Sequence, residues 1–206
     1  MSREHVYPDE PAGPFPEPPL SFTDREDREI AIRTTPPGTT VPEALVEMYA
    51  EFDPADRAQG IPPTDAEAAR RWLETIYAEG YNAVAWHGDV AAGHATLVPD
   101  DGGKASTAGD EPRDDALDDP EDGGTGERPA GHGPYELAIF VLQPYQRAGI
   151  GTKLLTALLG YAGSVGIERV WLSVERWNRP AIELYKQVGF ETTDAGSFEE
   201  EMTIRL

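Results

Sequence analysis

The run Phe140–Gly151, FVLQPYQRAGIG, constrains the fold of this chain more than any other segment. Tyr135–Leu142 (YELAIFVL) is apolar enough for a central strand. It stops in a turn, and Gly149 and Gly151 then open a stretch with Ile150, Leu154, Leu155, Leu158, Leu159 and Ala162 on one broad helical face. Helix N-termini expose unpaired amides, and glycine lets an anion come close to them. Successive turn amides also form a concave anion-binding nest. The glycine spacing departs from the dinucleotide fingerprint, and no Gly-Lys-Ser or Gly-Lys-Thr marks a triphosphate loop. Two readings stand at this point: a phosphate cradle, or a tight strand-to-helix turn packed close to the sheet.

The surrounding pattern is also α/β. Arg28–Thr34 alternates as a strand and ends at Pro36-Pro37-Gly38. Val41–Phe52 carries a helical stripe, Ile61-Pro62-Pro63 breaks it, and Thr64 with Glu67 forms a capping box for a helix through Ala78. Tyr81–His87 and Val90–Val98 flank Gly88-Asp89 as a hairpin. Arg169–Val174 is a further strand, and Pro180–Val188 a short helix stopped by Gly189. Phe190–Thr193 and Glu201–Leu206 make a closing pair of strands. This order predicts one domain over 28–206, a mixed sheet covered by helices. Residues 1–27, with six prolines and seven acidic residues, are expected to form a disordered or loosely attached tail. Residues 99–133, with eleven acidic and three basic residues and almost nothing apolar, are expected to be a long, mobile insertion between two strands.

Composition removes several classes of function. The formal charge of -21 opposes unspecific binding to nucleic acid or anionic membranes. Cysteine is absent, which excludes disulfides, thiolate catalysis and cysteine-based metal sites. The four histidines show no ligand spacing, so no metal is expected. No run approaches 18 apolar residues, and the proline-rich start lacks a secretion signal; the expected location is the cytoplasm. Lysine occurs three times against fourteen arginines. An acidic, lysine-poor surface of this kind suits a salt-loving organism, where screening makes the charge tolerable; an ordinary acidic protein with an acidic insertion is the alternative.

Two stretches resemble one known family. Gln146-Arg147-Ala148-Gly149-Ile150-Gly151 is similar to the Gln/Arg-x-x-Gly-x-Gly/Ala motif of the GNAT superfamily of N-acetyltransferases. Downstream, Asn178–Phe190 (NRPAIELYKQVGF) resembles that superfamily's Asn-x-x-Ala-x-x-Leu-Tyr-x-x-x-Gly-Phe hallmark. The resemblance covers 28–206 apart from the insertion. It implies a GNAT-like mixed, splayed central β-sheet flanked by helices, with acetyl-CoA or another acyl-CoA as cosubstrate. Pantetheine is then expected along Phe140, Val141 and Leu142 as an added strand. The pyrophosphate is expected on the amides of Arg147, Ala148, Gly149, Ile150, Gly151 and Thr152, with Gln146 at the motif's first position. Asn178 matches a residue that contacts pantetheine or caps the following helix. Tyr185 matches the general acid for the departing thiolate, with core packing as its rival role. Glu136 shares a strand face with Phe140 and Leu142. It is a candidate base for the attacking amine, or else a strand-edge or salt-bridged carboxylate.

One departure concerns the acceptor. Family members that acetylate protein N-termini often read Leu-Glu-Val-Arg-x-x-Asn before the second hallmark; here Leu172–Asn178 is LSVERWN, with Ser173 in the glutamate's position. Tyr135 and Trp177 are candidates for the acceptor entrance, or for packing. The leading expectation is an enzyme that moves an acetyl or short acyl group from acyl-CoA to a primary amine, on a small molecule or a protein, by direct attack in a ternary complex. The alternative is a catalytically weak CoA-binding or regulatory module. A third reading, an acidic insertion holding a basic partner, is compatible with both. Exposed sheet edges leave a homodimer open.

Overall fold

A computed structural model of the chain describes residues 5–52, 63, 65–100 and 133–206. Thr64 and nearly all of the expected insertion, residues 101–132, lie outside the described residues. The strands are β1 (Leu20–Thr23), β2 (Glu29–Thr35), β3 (Tyr81–His87), β4 (Val90–Pro99), β5 (Tyr135–Val141), β6 (Arg169–Glu175), β7 (Glu191–Ala195) and β8 (Glu199–Arg205). The helices are α1 (Glu43–Ala50), α2 (Ala66–Glu79), α3 (Ile150–Ser164) and α4 (Arg179–Val188). The strands form one sheet in the order β1-β2-β3-β4-β5-β6-β8-β7. Every neighbouring pair is antiparallel except β5 and β6.

Two cores lie on opposite faces of this sheet. Ile150, Leu154, Leu155, Leu158 and Leu159 of α3 pack with Ile182 and Tyr185 of α4 over Ile32, Leu97, Leu137 and Leu172. On the other face Leu45, Met48 and Tyr49 of α1 and Leu73, Ile76 and Tyr77 of α2 cover Val84, Val98 and Leu142. The side-chain period of two divides β5 between them. Leu137 and Ile139 face α3, whereas Phe140 and Leu142 face α1 and α2. The cap of α2 is Asp65, whose carboxylate accepts from the Ala68 amide at 2.8 Å. No helix among the described residues is long and apolar enough to cross a membrane.

The expectation of a loose N-terminal tail is corrected for residues 5–27. His5 stacks on Trp171 at 4.2 Å between ring centroids, and the Val6 carbonyl accepts from the Thr203 hydroxyl at 2.8 Å. The Ala12 amide donates to the Arg205 carbonyl. The segment then crosses α3 at Gly160, where a β-carbon would run into the Pro16 carbonyl, and ends in β1, paired to β2. Proline removes donors but leaves carbonyls and rings, so a proline-rich strap can attach through main-chain acceptors and stacked aromatics without periodic apolar content. Gly160→Ala should therefore cost about 1–3 kcal/mol by overpacking, read as a lower unfolding midpoint and faster proteolysis within residues 5–19. An unchanged midpoint and cleavage pattern would show that the strap contributes nothing.

His94 is a core residue. Asn82 gives its amide hydrogens to the Gly80 carbonyl at 2.8 Å, so its oxygen accepts from His94 Nε2 at 3.0 Å. His94 Nδ1 is left to accept from the Tyr49 hydroxyl at 2.7 Å. Every ring nitrogen is satisfied in the neutral form, and burial pushes the His94 pKa down to about 3. Because the unfolded chain takes up that proton near pH 6.5, the stability from neutral His94 is complete above that pH and is lost as the pH falls toward the folded value. Unfolding free energy should drop by up to about 1.4 kcal/mol per pH unit below 6.5. Urea titrations from pH 7.5 to 5 should show this slope in the unsubstituted protein and not in His94→Gln.

Candidate active site

The β5–β6 junction opens the sheet. These strands pair in parallel only at Tyr135↔Val170 and Glu136↔Trp171, although both continue for several residues. On its other side β5 stays paired with β4 from Tyr135 to Val141, and the Leu142 amide donates to the Ala92 carbonyl at 3.0 Å. Alternation along an antiparallel ladder directs the main-chain groups of Phe140 and Leu142 to β4 as well. The groups of Ile139 and Val141 therefore face the opening. Of Phe140, Val141 and Leu142, along which pantetheine is expected, only Val141 turns its main-chain groups to the opening, while Phe140 packs its ring on Tyr49, Phe52 and Trp72 at 5.5–6.1 Å.

The turn after β5 ends at the N-terminus of α3. Gly149, the α3 cap residue, has φ +89°, in the left-handed region that favours glycine. Among the described residues no side chain caps the first turn of α3, so its amides stay available. A β-carbon at Gly149 would meet only Arg25 Nε, at 3.9 Å, within a 4 Å radius, so the surface there is open. Ala148 and Ile150 are buried and anchor the turn. Gly151 admits α4: a β-carbon there would lie 3.2 Å from Leu184 Cδ1 and 3.8 Å from Val141 Cγ2. The two glycines thus divide the sequence-based readings, with Gly149 on the open side and Gly151 in tight packing. Gln146 Nε2 donates to the Val141 carbonyl at 3.1 Å, tying the turn to the strand end. Thr152 lies in the first turn of α3, where its carbonyl accepts from the Thr156 hydroxyl.

Sequence reasoning missed the β1–β2 turn, residues 24–28, which packs against this loop. Asp24 Oδ1 accepts from the Glu26 and Arg28 amides, each at 2.9 Å, and Oδ2 takes the Arg28 guanidinium at 2.7 Å. Burial opposes the charge of this carboxylate, yet hydrogen bonds from the Arg28 amide, the Arg28 guanidinium and the Glu26 amide hold its pKa below the ordinary value. Arg28 also donates to the Pro144 carbonyl at 2.8 Å and covers the Tyr145 ring at 4.4 Å. Tyr145 in turn hydrogen-bonds His87 at 3.0 Å. From the same turn, the Arg25 amide donates to the Ala148 carbonyl at 3.2 Å and its Nη1 to the Arg147 carbonyl at 3.4 Å. The available signal was the Asp24-to-Arg28 spacing after the strand-like Leu20–Thr23, obscured by the prolines before it.

The remaining candidates occupy separate positions. Glu136 is buried, 9% exposed, and is the last β5 residue paired to β6, where the strands part. Tyr185 is 7% exposed, with its ring 5.7 Å from Phe190. Its hydroxyl makes no hydrogen bond among the described residues, and burial raises its pKa well above that of an ordinary phenol, which keeps it protonated. Asn178 caps α4 by accepting from the Ala181 amide at 3.3 Å. Ser173 donates to Glu199 at 2.9 Å. Trp177 is exposed, whereas Tyr135 is buried against Tyr81 on the α3 side, so the structure does not bring the two together at an entrance.

A sheet parted beside a glycine-capped helix, with a protonated tyrosine on the adjoining helix, defines the class of acyl-transfer folds that the second hallmark implied. Residues 43–190 match the model of the acetyltransferase (GNAT) family, and the chain belongs to that family. It is similar to an N-alpha-acetyltransferase of Sulfurisphaera tokodaii, 46% identical over 56 residues, which are 27% of this chain and 34% of the relative. It is also similar to an L-ornithine N5-acetyltransferase of Arabidopsis thaliana, 43% identical over 61 residues, 29% of this chain and 26% of the relative. The match thus spans about a third or less of either relative. In fold it is similar to the GNAT domain of S. lividans PAT, with a TM-score of 0.66 at 18% identity, covering 91% of this chain and 96% of that one. The Salmonella typhimurium acetyltransferase yncA, solved with its cofactor acetyl-CoA, aligns with a TM-score of 0.52 at 16% identity, covering 86% and 92%.

If the α3 cap receives a phosphate, two substitutions at Gly149 separate charge from backbone strain. Asparagine tolerates the left-handed conformation, so Gly149→Asn should weaken CoA binding modestly. Gly149→Asp adds an anion at the same place and should weaken it by a further factor of about ten or more. Equal affinities of the two folded variants in calorimetry would remove the phosphate from this position.

Proposed function

We propose that this protein is an acyl-CoA-dependent N-acyltransferase that moves an acetyl or short acyl group to a primary amine by direct attack within a ternary complex. The observation that carries this reading is the parting of β5 from β6 directly beside the uncapped amides of α3. The main-chain groups of Ile139 and the Val141 amide would hold pantetheine, and the α3 amides with those of Ala148 and Gly149 the pyrophosphate. Acyl-CoA supplies an activated thioester carbonyl. As the amine nitrogen bonds to that carbon, the carbon–sulfur bond breaks, the amine loses a proton and the thiolate gains one. Tyr185, protonated and without a competing partner, would donate to the sulfur. Glu136, at the fork of the strands, would accept the amine's proton directly or through water. The acceptor is a small-molecule or protein amine; the likeness to enzymes named for N-alpha- and ornithine acetylation supports an amine without choosing between them.

Tyr185→Phe separates an enzyme from a CoA-binding module. The substitution keeps the ring against Phe190, so fold and CoA affinity should hold. Single-turnover acyl transfer, screened across amines by CoA release, should fall by roughly 10–100-fold. An unchanged chemical step would remove Tyr185 as the acid, and a matching loss of CoA affinity would assign it to packing.

A further inference from the structure

The β1–β2 turn donates to three carbonyls of the loop that precedes α3: Arg28 to Pro144, and Arg25 to Arg147 and Ala148. In a trans peptide the carbonyl and the following N–H point in opposite directions. A donor that holds the Arg147 and Ala148 carbonyls therefore turns the N–H groups of Ala148 and Gly149 away from the β1–β2 turn. Neither N–H donates to another main-chain group among the described residues. Arg147 has φ +59° and Gly149 φ +89°, so this stretch adopts a conformation that needs external support. Resting on the acyl-CoA reading, we propose that Arg25 is a positioning residue for the pyrophosphate: from behind the loop it fixes the peptide planes whose N–H groups meet the anion.

Three observations support a role on the carbonyl side of the loop; Arg25 Nε also comes within 3.9 Å of where a β-carbon at Gly149 would stand, and the salt dependence of binding separates the two roles. The Arg25 main chain is pinned to the same loop that its side chain reaches, so the guanidinium has a short, directed path to the Arg147 carbonyl. Asp24, beside it in the chain, is saturated by Arg28 and two amides, and among the described residues Arg25 forms no ion pair with a carboxylate. A cation on the carbonyl side also polarises each peptide so that its N–H becomes a better donor, and the loop carries this polarisation without reorganising when the anion arrives. The turn itself is rigid, closed by the Asp24 amide donating to the Arg28 carbonyl at 2.9 Å and by the Asp27 amide donating to the Asp24 carbonyl at 3.2 Å.

Arg25→Ala keeps the main-chain bond and removes only the guanidinium. It should weaken CoA and dephospho-CoA equally, by about tenfold, as expected for loss of one charge-assisted hydrogen bond. Because no ion contact with the phosphate is lost, the salt dependence of binding should stay the same. Amide hydrogen exchange at Ala148 and Gly149, whose N–H groups make no main-chain hydrogen bond among the described residues, should slow in the free protein as the polarising cation is lost, while the middle of α3 is unaffected. Arg33→Ala, the same change of charge at an exposed site on β2, should alter none of these. Unchanged affinity and exchange would overturn the proposal. A loss confined to CoA would place Arg25 on the 3′-phosphate, a flattened salt dependence would make it a direct ligand, and exchange rising throughout α3 would reduce it to a structural role; each of these also overturns it. Failure of the unsubstituted protein to bind either thiol would instead sink the acyl-CoA reading itself.

Discussion

The two-residue contact between β5 and β6 is the constraint on which the rest depends. A parallel pair held only at Tyr135↔Val170 and Glu136↔Trp171 leaves the main-chain groups of Ile139 and Val141 without a strand partner on one side. Polar main-chain groups inside a sheet need partners, and a gap of this kind is unfavourable unless water or a ligand fills it. The protein maintains the gap because each side of it belongs to a separately stabilised unit. β5 is bonded along its whole length to β4, and β6 along its whole length to β8. Helix α3 follows β5 and α4 follows β6, so each strand carries its own helix to the opening.

That arrangement also gives the glycines their separate roles. Gly151 leaves room for Leu184 of α4 and for Val141 at the strand end, both of which a β-carbon there would touch. Gly149 turns the chain through φ +89° and leaves the first amides of α3 uncapped. A helix start normally binds a capping side chain, so an open one beside an open strand edge is a conjunction of two unmet demands for hydrogen bonds. One ligand with amide groups along its length and phosphates at its end satisfies both.

The N-terminal segment ties these parts together. It stacks His5 on Trp171 of β6, bonds to β8, crosses α3 at Gly160, and ends as β1 with a turn that grips the loop before α3. The segment packs Ala12, Phe15, Leu20 and Phe22 against the core and adds main-chain hydrogen bonds and the stacked ring of His5. The strap touches both units that flank the opening, and its β1–β2 turn rests on the loop before α3.

Sequence alone determined the order of the elements from β2 onward, because strand and helix periods survive in Tyr135–Leu142, Ile150–Ala162 and Pro180–Val188 whatever surrounds them. It also determined the family resemblance, since Gln146–Gly151 and Asn178–Phe190 are contiguous motifs whose demands are local: a left-handed glycine, a helix cap, a close approach. Only the tertiary structure decided which main-chain groups of β5 face the opening, because that depends on the register with β4 and not on any side chain. It likewise decided that Tyr135 is core, that Gly151 serves packing and that residues 5–27 are attached. Arg25 and Arg28 reach carbonyls more than a hundred positions away, and no local period or spacing encodes a contact that exists only once the sheet has brought β1 and β2 beside the start of α3.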